Sequence, residues 1–268
     1  GAGGPVFAGV RGGLGQLVTA VAAATSAQVT LGTAVRQLRR APDGGWQLTV
    51  GPARAPEVVI ADAVVLAVPA APGRRLLSEC LPAVAGELAG IEYAGVALVT
   101  LVYRAADLPA EHASSGFLVP AVERRVTKAV TRFSAKWGHV AAERPDLTVI
   151  RASVGRYGEA ADLQRDDDEL LAAVGADVAE ALRPAGPPVE SAVTRWGGAL
   201  PQYAPGHVER VARIHAGVAP ADGLAVCGAA YDGVGIPACI GSGTRAADKV
   251  LADLSRRRPG VGDNECHG

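Results

Sequence analysis

Short apolar runs, separated by glycine, proline and aspartate, recur along this chain and predict β-strands. The pair Asp43-Gly44 lies between two of these runs and is a hairpin signal. The predicted strands cover residues 28–31, 34–39, 46–50, 57–60, 62–68, 91–103, 126–133, 147–154, 189–196 and 224–227.

Apolar residues three and four positions apart predict several helices between these strands. They are expected within residues 70–90, after 166–169 and from about 201 to 218. We interpret the acidic run 166–169 as a helix cap and a complement to the helix dipole rather than a metal site. A further helix begins at the glycines of 12–15 and is expected to bury an apolar face made of Leu14, Leu17, Val18 and Val21.

The segment 223–248 has the most informative pattern. The apolar run 224–227 predicts a buried strand, glycines follow at 228, 233 and 235, and Pro237 stands where a new helix would begin. A strand, a glycine turn and a helix start present free backbone N–H groups to an anion. Many α/β proteins also use such turns for packing, so the pattern alone leaves both interpretations open.

Composition narrows the class of protein. The 26 basic residues nearly balance the 27 acidic ones, and the absence of a long basic stretch argues against nucleic acid as a partner. No apolar run reaches membrane-spanning length, so we expect a soluble protein. The four cysteines form no C-x-x-C pair, and with no signal peptide a reduced cytoplasmic setting is expected. The chain lacks methionine even at position 1 and is expected to be a fragment whose beginning is missing.

Common catalytic motifs are absent from the sequence. It contains no G-x-S-x-G, no H-E-x-x-H and no P-loop, and the five histidines are scattered. His139 and His207 have no motif partner that would make either a base, and we interpret both as structural. Two G-x-G-x-x-A patterns, at 233–238 and 241–246, lack the following strand and acidic residue of a dinucleotide fingerprint. The sequence thus assigns neither a catalytic residue nor a metal.

Several segments resemble a known family in the same order along the chain. CGAAYDGVGIPACIGSGTRAA, SSGFLVP, SAKWGH, RASVGRYG and RWGGALPQYAPGH resemble the protoporphyrinogen/coproporphyrinogen oxidases, within the amine-oxidase-like flavoproteins. PVFAGVRGGLGQLVTAV resembles that family's return from substrate domain to flavin domain. The resemblance implies an α/β (α+β mixed) fold, with part of a discontinuous Rossmann-like FAD domain and an inserted substrate domain with a mixed sheet. Residues 1–75 and 200–254 would then belong to the FAD domain and 76–199 to the substrate domain, with a disordered tail at 255–268.

The resemblance also implies a cofactor and site residues. Carried over by position, the FAD contacts are Val35, Trp196, Val234, Gly235 and Ile236, and the substrate contacts are Gly116 and Leu118. Trp196 could equally be a packing residue. The main FAD cradle of this family lies near its amino terminus and has no counterpart in this chain.

The reaction that the resemblance implies is oxidation of a porphyrinogen to a porphyrin in haem biosynthesis, with dioxygen as acceptor and hydrogen peroxide as product. The high content of Ala, Gly, Arg and Val suggests an actinobacterial type of source, which favours coproporphyrinogen III over protoporphyrinogen IX as substrate. A further enzyme of the haem pathway is a candidate partner. Two alternatives stay open, namely a related flavin oxidase acting on amines or carotenoid precursors and a non-catalytic fragment.

Overall fold

The computed structural model describes residues 8–109 and 114–257. Three short 3₁₀ turns, at Ala105–Asp107, Ala121–Glu123 and Ala161–Gln164, connect its regular elements. The helices are Gly15–Ala24 (α1), Ala70–Leu77 (α2), Pro82–Ala89 (α3), Phe133–Lys136 (α4), Gly138–Glu143 (α5), Asp167–Leu182 (α6), His207–Val218 (α7) and Ile236–Arg257 (α8). The strands are Val35–Arg40 (β1), Trp46–Val50 (β2), Glu57–Ala61 (β3), Val64–Leu66 (β4), Tyr93–Arg104 (β5), Gly116–Leu118 (β6), Thr127–Arg132 (β7), Leu147–Val154 (β8), Glu190–Pro201 (β9) and Leu224–Val226 (β10).

These elements form two compact units, each with its own core. We call residues 30–93 and 200–257 the three-stranded unit, after its largest sheet. Residues 8–29 and 94–199 form the five-stranded unit, of which 110–113 are not described. The predicted mixed α/β fold class is confirmed, since helices and several sheets make up both units.

The three-stranded unit begins with an antiparallel meander in the order β1–β2–β3. Its first turn contains the predicted Asp43-Gly44 hairpin. Trp46 at the start of β2 is fully buried and donates its indole N–H to the carbonyl of Asp222 at 3.2 Å, while the Arg40 guanidinium lies 4.0 Å from its ring centroid. This tryptophan therefore ties the meander to the turn before β10.

A second, two-stranded sheet lies in the same unit. β4 and β10 pair in parallel, and the three residues of β10 are buried. α7 and α8 pack against β10, which suits a parallel pair whose faces must be covered. α2 and α3 lie in the predicted helical region 70–90, and they bury four apolar side chains, namely Leu76, Leu77, Val84 and Leu88.

The five-stranded unit is built on one sheet, in the order β6–β7–β8–β5–β9. The pairs β6–β7, β7–β8 and β8–β5 are antiparallel. Alternate residues of β5 and β8 are buried in one cluster with the apolar stripe of α6. The acidic start of α6 has the predicted cap, because the Asp166 carboxylate accepts the Glu169 backbone N–H at 2.8 Å.

Some local predictions were wrong. Residues 28–31 form no strand. α1 forms as predicted, but it buries no side chain, and Leu14, Val18 and Val21 are exposed. The strand predicted to reach residue 133 stops at Arg132, and residues 133–136 and 138–143 form two short helices. Periodicity gives the helix, but only packing partners decide which of its faces is buried.

The division into units differs from the predicted domains at two places. Residues 76–93 lie in the three-stranded unit, because the apolar stripes of α2 and α3 belong to its core. Residues up to Val29 group with the five-stranded unit rather than with the meander. The tail predicted from residue 255 is helical as far as Arg257. Residues 5–7, Cys266 and the remaining tail, 258–268, lie outside the described residues.

Candidate functional site

The strand, glycine loop and helix predicted at 223–248 are present in the three-stranded unit. β10 ends where the Cys227 N–H donates to the carbonyl of Leu66 at 3.1 Å. Gly228 then turns with φ of 120° and donates its N–H to the Ser242 hydroxyl at 3.2 Å. α8 begins at Ile236, and its first turn is closed by the Cys239 N–H on the carbonyl of Gly235 at 3.0 Å. The loop 227–235 is therefore held at both ends by the elements that it joins.

Two glycines of this loop, Gly233 and Gly235, differ in whether the backbone requires glycine. Gly233 has φ of 137°, and a Cβ there would lie 2.8 Å from the Ala238 Cβ, so the backbone itself requires glycine. At Gly235 φ is not positive, and a Cβ would meet nothing closer than the Pro237 Cδ at 3.8 Å. The described fold thus gives no internal reason for glycine at 235.

The start of α8 is open to solvent. Val234 is 49% exposed and Ile236 is 44% exposed, and Gly235 between them is also exposed. The first N–H groups of a helix have no intrahelical acceptor, and they carry the positive end of the helix dipole. Free N–H groups beside exposed apolar side chains suit a ligand that has both polar edges and a flat apolar surface, as a flavin has.

A tyrosine from the segment between β9 and α7 holds the same loop. The Tyr203 hydroxyl donates to the carbonyl of Ala229 at 2.6 Å and accepts the Gly233 backbone N–H. Burial raises the pKa of Tyr203 above its usual value, so the phenol stays protonated and able to donate at neutral pH. The ring stacks on His207 at a centroid distance of 4.0 Å.

Sequence reasoning missed this role of Tyr203. Its bond partner Ala229 lies 26 residues further along the chain, and no local pattern links the two. His207, beneath the tyrosine, is only 5% exposed, and both its ring nitrogens lack a hydrogen-bond partner among the described residues. Its interpretation as a structural residue therefore stays a prediction.

Charged groups line a cavity of about 370 Å³ behind the loop, in the three-stranded unit. The Asp232 carboxylate accepts from the Arg245 guanidinium at 2.5 Å and lies 3.8 Å from the His215 ring. Burial raises the pKa of the Cys227 thiol, which therefore remains protonated and unreactive at neutral pH. These groups pair with one another and present no activated nucleophile.

The predicted FAD contacts fall in three places. Val234, Gly235 and Ile236 are brought together at the start of α8. Val35 is the first residue of β1, on the outer edge of the three-stranded sheet, and is exposed. Trp196 lies on β9 of the five-stranded unit and is 52% exposed, which is unusual for a residue that only packs.

The two predicted substrate contacts lie on β6, the edge strand of the five-stranded sheet. A Cβ at Gly116 would lie 2.2 Å from the carbonyl oxygen of Val130, so its close pairing with β7 already explains the glycine. Leu118 is 82% exposed and borders a cavity of about 290 Å³ together with Arg125 and Glu180.

Two features are absent from the described residues, namely a metal site and a membrane-spanning helix. No group of three or more His, Cys, Asp or Glu residues there could hold a metal ion. Within 8–109 and 114–257, every helix is too short or too polar to cross a membrane.

Comparison with known proteins gives a consistent set of similarities. A family model described as "Flavin containing amine oxidoreductase" matches residues 1–251. Coproporphyrinogen III oxidase of Mycobacterium tuberculosis is 36% identical over 259 residues, which are 95% of this chain and 53% of that protein. The enzyme of the same name from Bacillus subtilis is 32% identical over 195 residues, 72% of this chain and 41% of that protein. Protoporphyrinogen oxidase of Bos taurus is 29% identical, covering 90% of this chain and 51% of that protein.

Solved structures show the same likeness. A protein from Exiguobacterium sp. 255-15, provisionally named a protoporphyrinogen oxidase, superposes with a TM-score of 0.77 at 29% identity, over 92% of this chain and 52% of that one. Putrescine oxidase with bound putrescine matches at a TM-score of 0.63 and 19% identity, over 90% and 53% of the two chains, and shows the fold alone. The chain thus spans about half the length of the relatives that it matches.

Proposed function

This chain belongs to the flavin-containing amine oxidoreductase family, and we propose on that basis that it forms part of an oxygen-dependent coproporphyrinogen III oxidase. In this proposal most FAD contacts lie in the three-stranded unit, and Trp196 of the five-stranded unit is a further one. The porphyrinogen contacts, Gly116 and Leu118, lie in the five-stranded unit. Dioxygen accepts the electrons, and hydrogen peroxide and coproporphyrin III are the products. The setting would be haem biosynthesis in the cytoplasm.

The observation that carries the FAD assignment is the open start of α8. Val234 and Ile236 are exposed although they are apolar. Nothing in the described fold requires a glycine at position 235 between them, since a Cβ there would have room. Both features are explained if a flat ring system approaches the backbone at Gly235, since a side chain there would occupy the space of the ligand. The helix N–H groups would then face an electron-rich edge of that ring.

Val35 suits a second part of the same cofactor. The Gly51 N–H donates to the carbonyl of Ala34 at 3.0 Å. Along an antiparallel pair, residues that bond to the partner strand alternate with residues whose N–H and carbonyl point away from it. The N–H and carbonyl of Val35 therefore face away from β2. β1 is the edge strand, which leaves these groups free for a ligand. An adenine ring, with adjacent donor and acceptor positions, could pair with such a backbone segment.

Bound FAD would supply the redox chemistry, which removes six electrons in total from a porphyrinogen. The described residues have the other tasks. Tyr203 fixes the loop that leads to Gly235, and the N–H groups at the start of α8 orient the ring. A reaction of this type needs positioning and exclusion of water more than an acid–base motif, which agrees with the lack of such a motif in the sequence.

The preference for coproporphyrinogen III has support from the relatives. The bacterial proteins of that name are 32–36% identical to this chain, whereas the bovine protoporphyrinogen oxidase is 29% identical. The test is the rate of porphyrin fluorescence on coproporphyrinogen III and protoporphyrinogen IX side by side, with any form of the chain that retains FAD. Faster turnover of protoporphyrinogen IX would overturn the choice of substrate.

The FAD assignment is tested by incubating the purified chain with FAD, desalting it and recording the visible spectrum. We expect retained flavin, and we expect Gly235→Asp to abolish it, because the carboxylate would occupy the ring position beside the helix start. Gly86→Asp is the matched control, since this glycine lies on the exposed face of α3 in the same unit with nothing within 4 Å of a Cβ. Equal retention by Gly235→Asp and the unchanged chain would contradict the assignment.

A further inference from the structure

The five-stranded sheet has one buried face and one half-open face. Ile150 and Ala152 of β8 point to the cluster that α6 covers, so Arg151 between them points to the opposite face. Thr131 of β7 lies directly opposite Arg151 in the sheet register and shares that face. The open face therefore carries a cation at its centre, beside the two short helices that follow β7.

A cavity of about 500 Å³ lies on this face, entirely within the five-stranded unit. Its walls are Arg151, Phe133 of α4, the segment 136–139 and the turn at residues 8–14. The turn packs closely on one wall, since a Cβ at Gly9 would lie 2.9 Å from the Trp137 ring. A volume of this size is typical of pockets for small organic ligands.

The lining of this cavity is cationic and aromatic. The Arg151 guanidinium lies 4.6 Å from the Phe133 ring centroid, and its buried Nε has no hydrogen-bond partner among the described residues. The Lys136 ammonium lies 5.6 Å from the Trp137 ring centroid, and His139 is also at the wall. Among the described residues that line the cavity, none is Asp or Glu. Burying a guanidinium N–H without an acceptor costs free energy. The acceptor that this site lacks is an anionic partner.

We propose that this cavity binds a carboxylate of an apolar ring compound that carries several carboxylates, with Arg151 as the residue that pairs with it. The planar guanidinium is suited to two parallel hydrogen bonds to one carboxylate. The rings of Phe133 and Trp137 suit the apolar body of the same ligand. The inference rests on the proposed function for the identity of that ligand, a propionate side chain of the tetrapyrrole. In that case Arg151 positions the tetrapyrrole by holding one of its propionates.

The experiment measures binding rather than turnover, so that it can be separated from the flavin assignment. Coproporphyrin III, the stable oxidised product, is titrated into the 268-residue chain while quenching of tryptophan fluorescence is followed. The same titration uses coproporphyrin III tetramethyl ester, which has the same ring and no free carboxylate. We expect the ester to bind at least about tenfold more weakly than the free acid, since a hydrogen-bonded charge pair is lost.

The variants are Arg151→Gln and Arg151→Lys, with Arg144→Gln as the matched control. Arg144 is an arginine of the same unit, outside this cavity, paired with Asp146 at 2.8 Å. We expect Arg151→Gln to weaken coproporphyrin III binding about tenfold and to leave ester binding unchanged. Arg151→Lys should recover part of the loss, because it keeps the charge but not the paired geometry. Arg144→Gln should bind like the unchanged chain.

The outcomes separate the two proposals. If the unchanged chain binds the free acid and the ester equally well, or binds neither, the carboxylate site is overturned, even if Arg151→Gln fails to fold. If free-acid binding depends on Arg151 and Gly235→Asp retains as much FAD as the unchanged chain does, the carboxylate site stands and the flavin assignment fails. If FAD is retained and Arg151→Gln binds coproporphyrin III as tightly as Arg144→Gln does, the carboxylate site alone is wrong.

Discussion

At the carboxyl end of α8 the side chain of Asp253 is almost completely buried and bonded to three groups, whereas at the amino end Val234 and Ile236 are exposed and touch no buried cluster. The Asp253 carboxylate accepts from the Gly223 N–H at 2.7 Å, the Lys249 ammonium at 2.7 Å and the Arg256 guanidinium at 2.5 Å. One end of the helix is therefore fixed by the fold itself, and the other is open to solvent. The comparison separates a position that stabilises the unit from positions that we propose to contact FAD.

The largest expected effect is at the fixed end. Asp253→Asn removes the buried charge that accepts hydrogen bonds from Lys249 and Arg256, and we expect it to lower the free energy of unfolding by about 3 kcal/mol. Urea unfolding followed by circular dichroism measures the change. FAD retention by the folded variant should be unaffected, and a selective loss of FAD at unchanged stability would mean that the two ends are not separate in function.

The same carboxylate gives a pH dependence. Burial alone would raise the pKa of Asp253, but the hydrogen bonds from Lys249 and the Gly223 N–H outweigh it and hold this pKa below 3.8, its usual value. Its contribution is thus fully present above about pH 4 and is lost as the pH falls through the lowered folded-state pKa. The difference in unfolding free energy between the unchanged chain and Asp253→Asn should shrink below about pH 4. A difference that grows on acidification would contradict this sign.

Within the loop, the two glycines sharpen the comparison. Gly233→Ala should lower the free energy of unfolding by about 2 kcal/mol, because φ is positive and the new Cβ would clash with Ala238. Gly235→Ala should change stability by less than about 0.5 kcal/mol, because its Cβ has room, and should instead reduce the fraction of FAD retained. Thermal unfolding and flavin absorbance after desalting are measured on both. If Gly235→Ala retains FAD fully, the reason for glycine at 235 lies elsewhere.

A smaller effect is expected at Tyr203. Tyr203→Phe removes the hydroxyl that bridges Ala229 and Gly233, at a cost of about 1 kcal/mol in unfolding free energy. We also expect weaker FAD retention, because the loop before Gly235 loses its fixed position. Tyr93→Phe is the control for the loss of a phenol hydroxyl, since the Tyr93 hydroxyl accepts the Ala70 N–H at 2.9 Å rather than bonding to the loop. Equal FAD retention by the two variants would mean that Tyr203 contributes to stability but not to FAD binding.

Local patterns predicted much of the structure. The Asp43-Gly44 hairpin, the cap at Asp166 and the sequence of strand, glycine loop and helix at 223–248 all formed, because each depends on residues that are close together in the chain. The roles of Val35, Trp196 and residues 234–236 came from the resemblance and stay predictions. The wrong predictions, such as the strand at 28–31 and the buried face of α1, concern segments whose apolar residues found no partner among the described residues.

The sequence by itself determined the family and most of the secondary structure, since hydrophobic periodicity, glycine placement and capping residues act over a few positions. Only the tertiary structure distinguished Gly233 from Gly235, because the distinction depends on a backbone angle and on the distance to Ala238. Only the structure placed Tyr203 on Ala229 and Arg151 beside Phe133, since these contacts join segments that no short-range pattern connects. Contacts of that kind depend on how whole helices and strands pack together, and a local sequence pattern does not predict them.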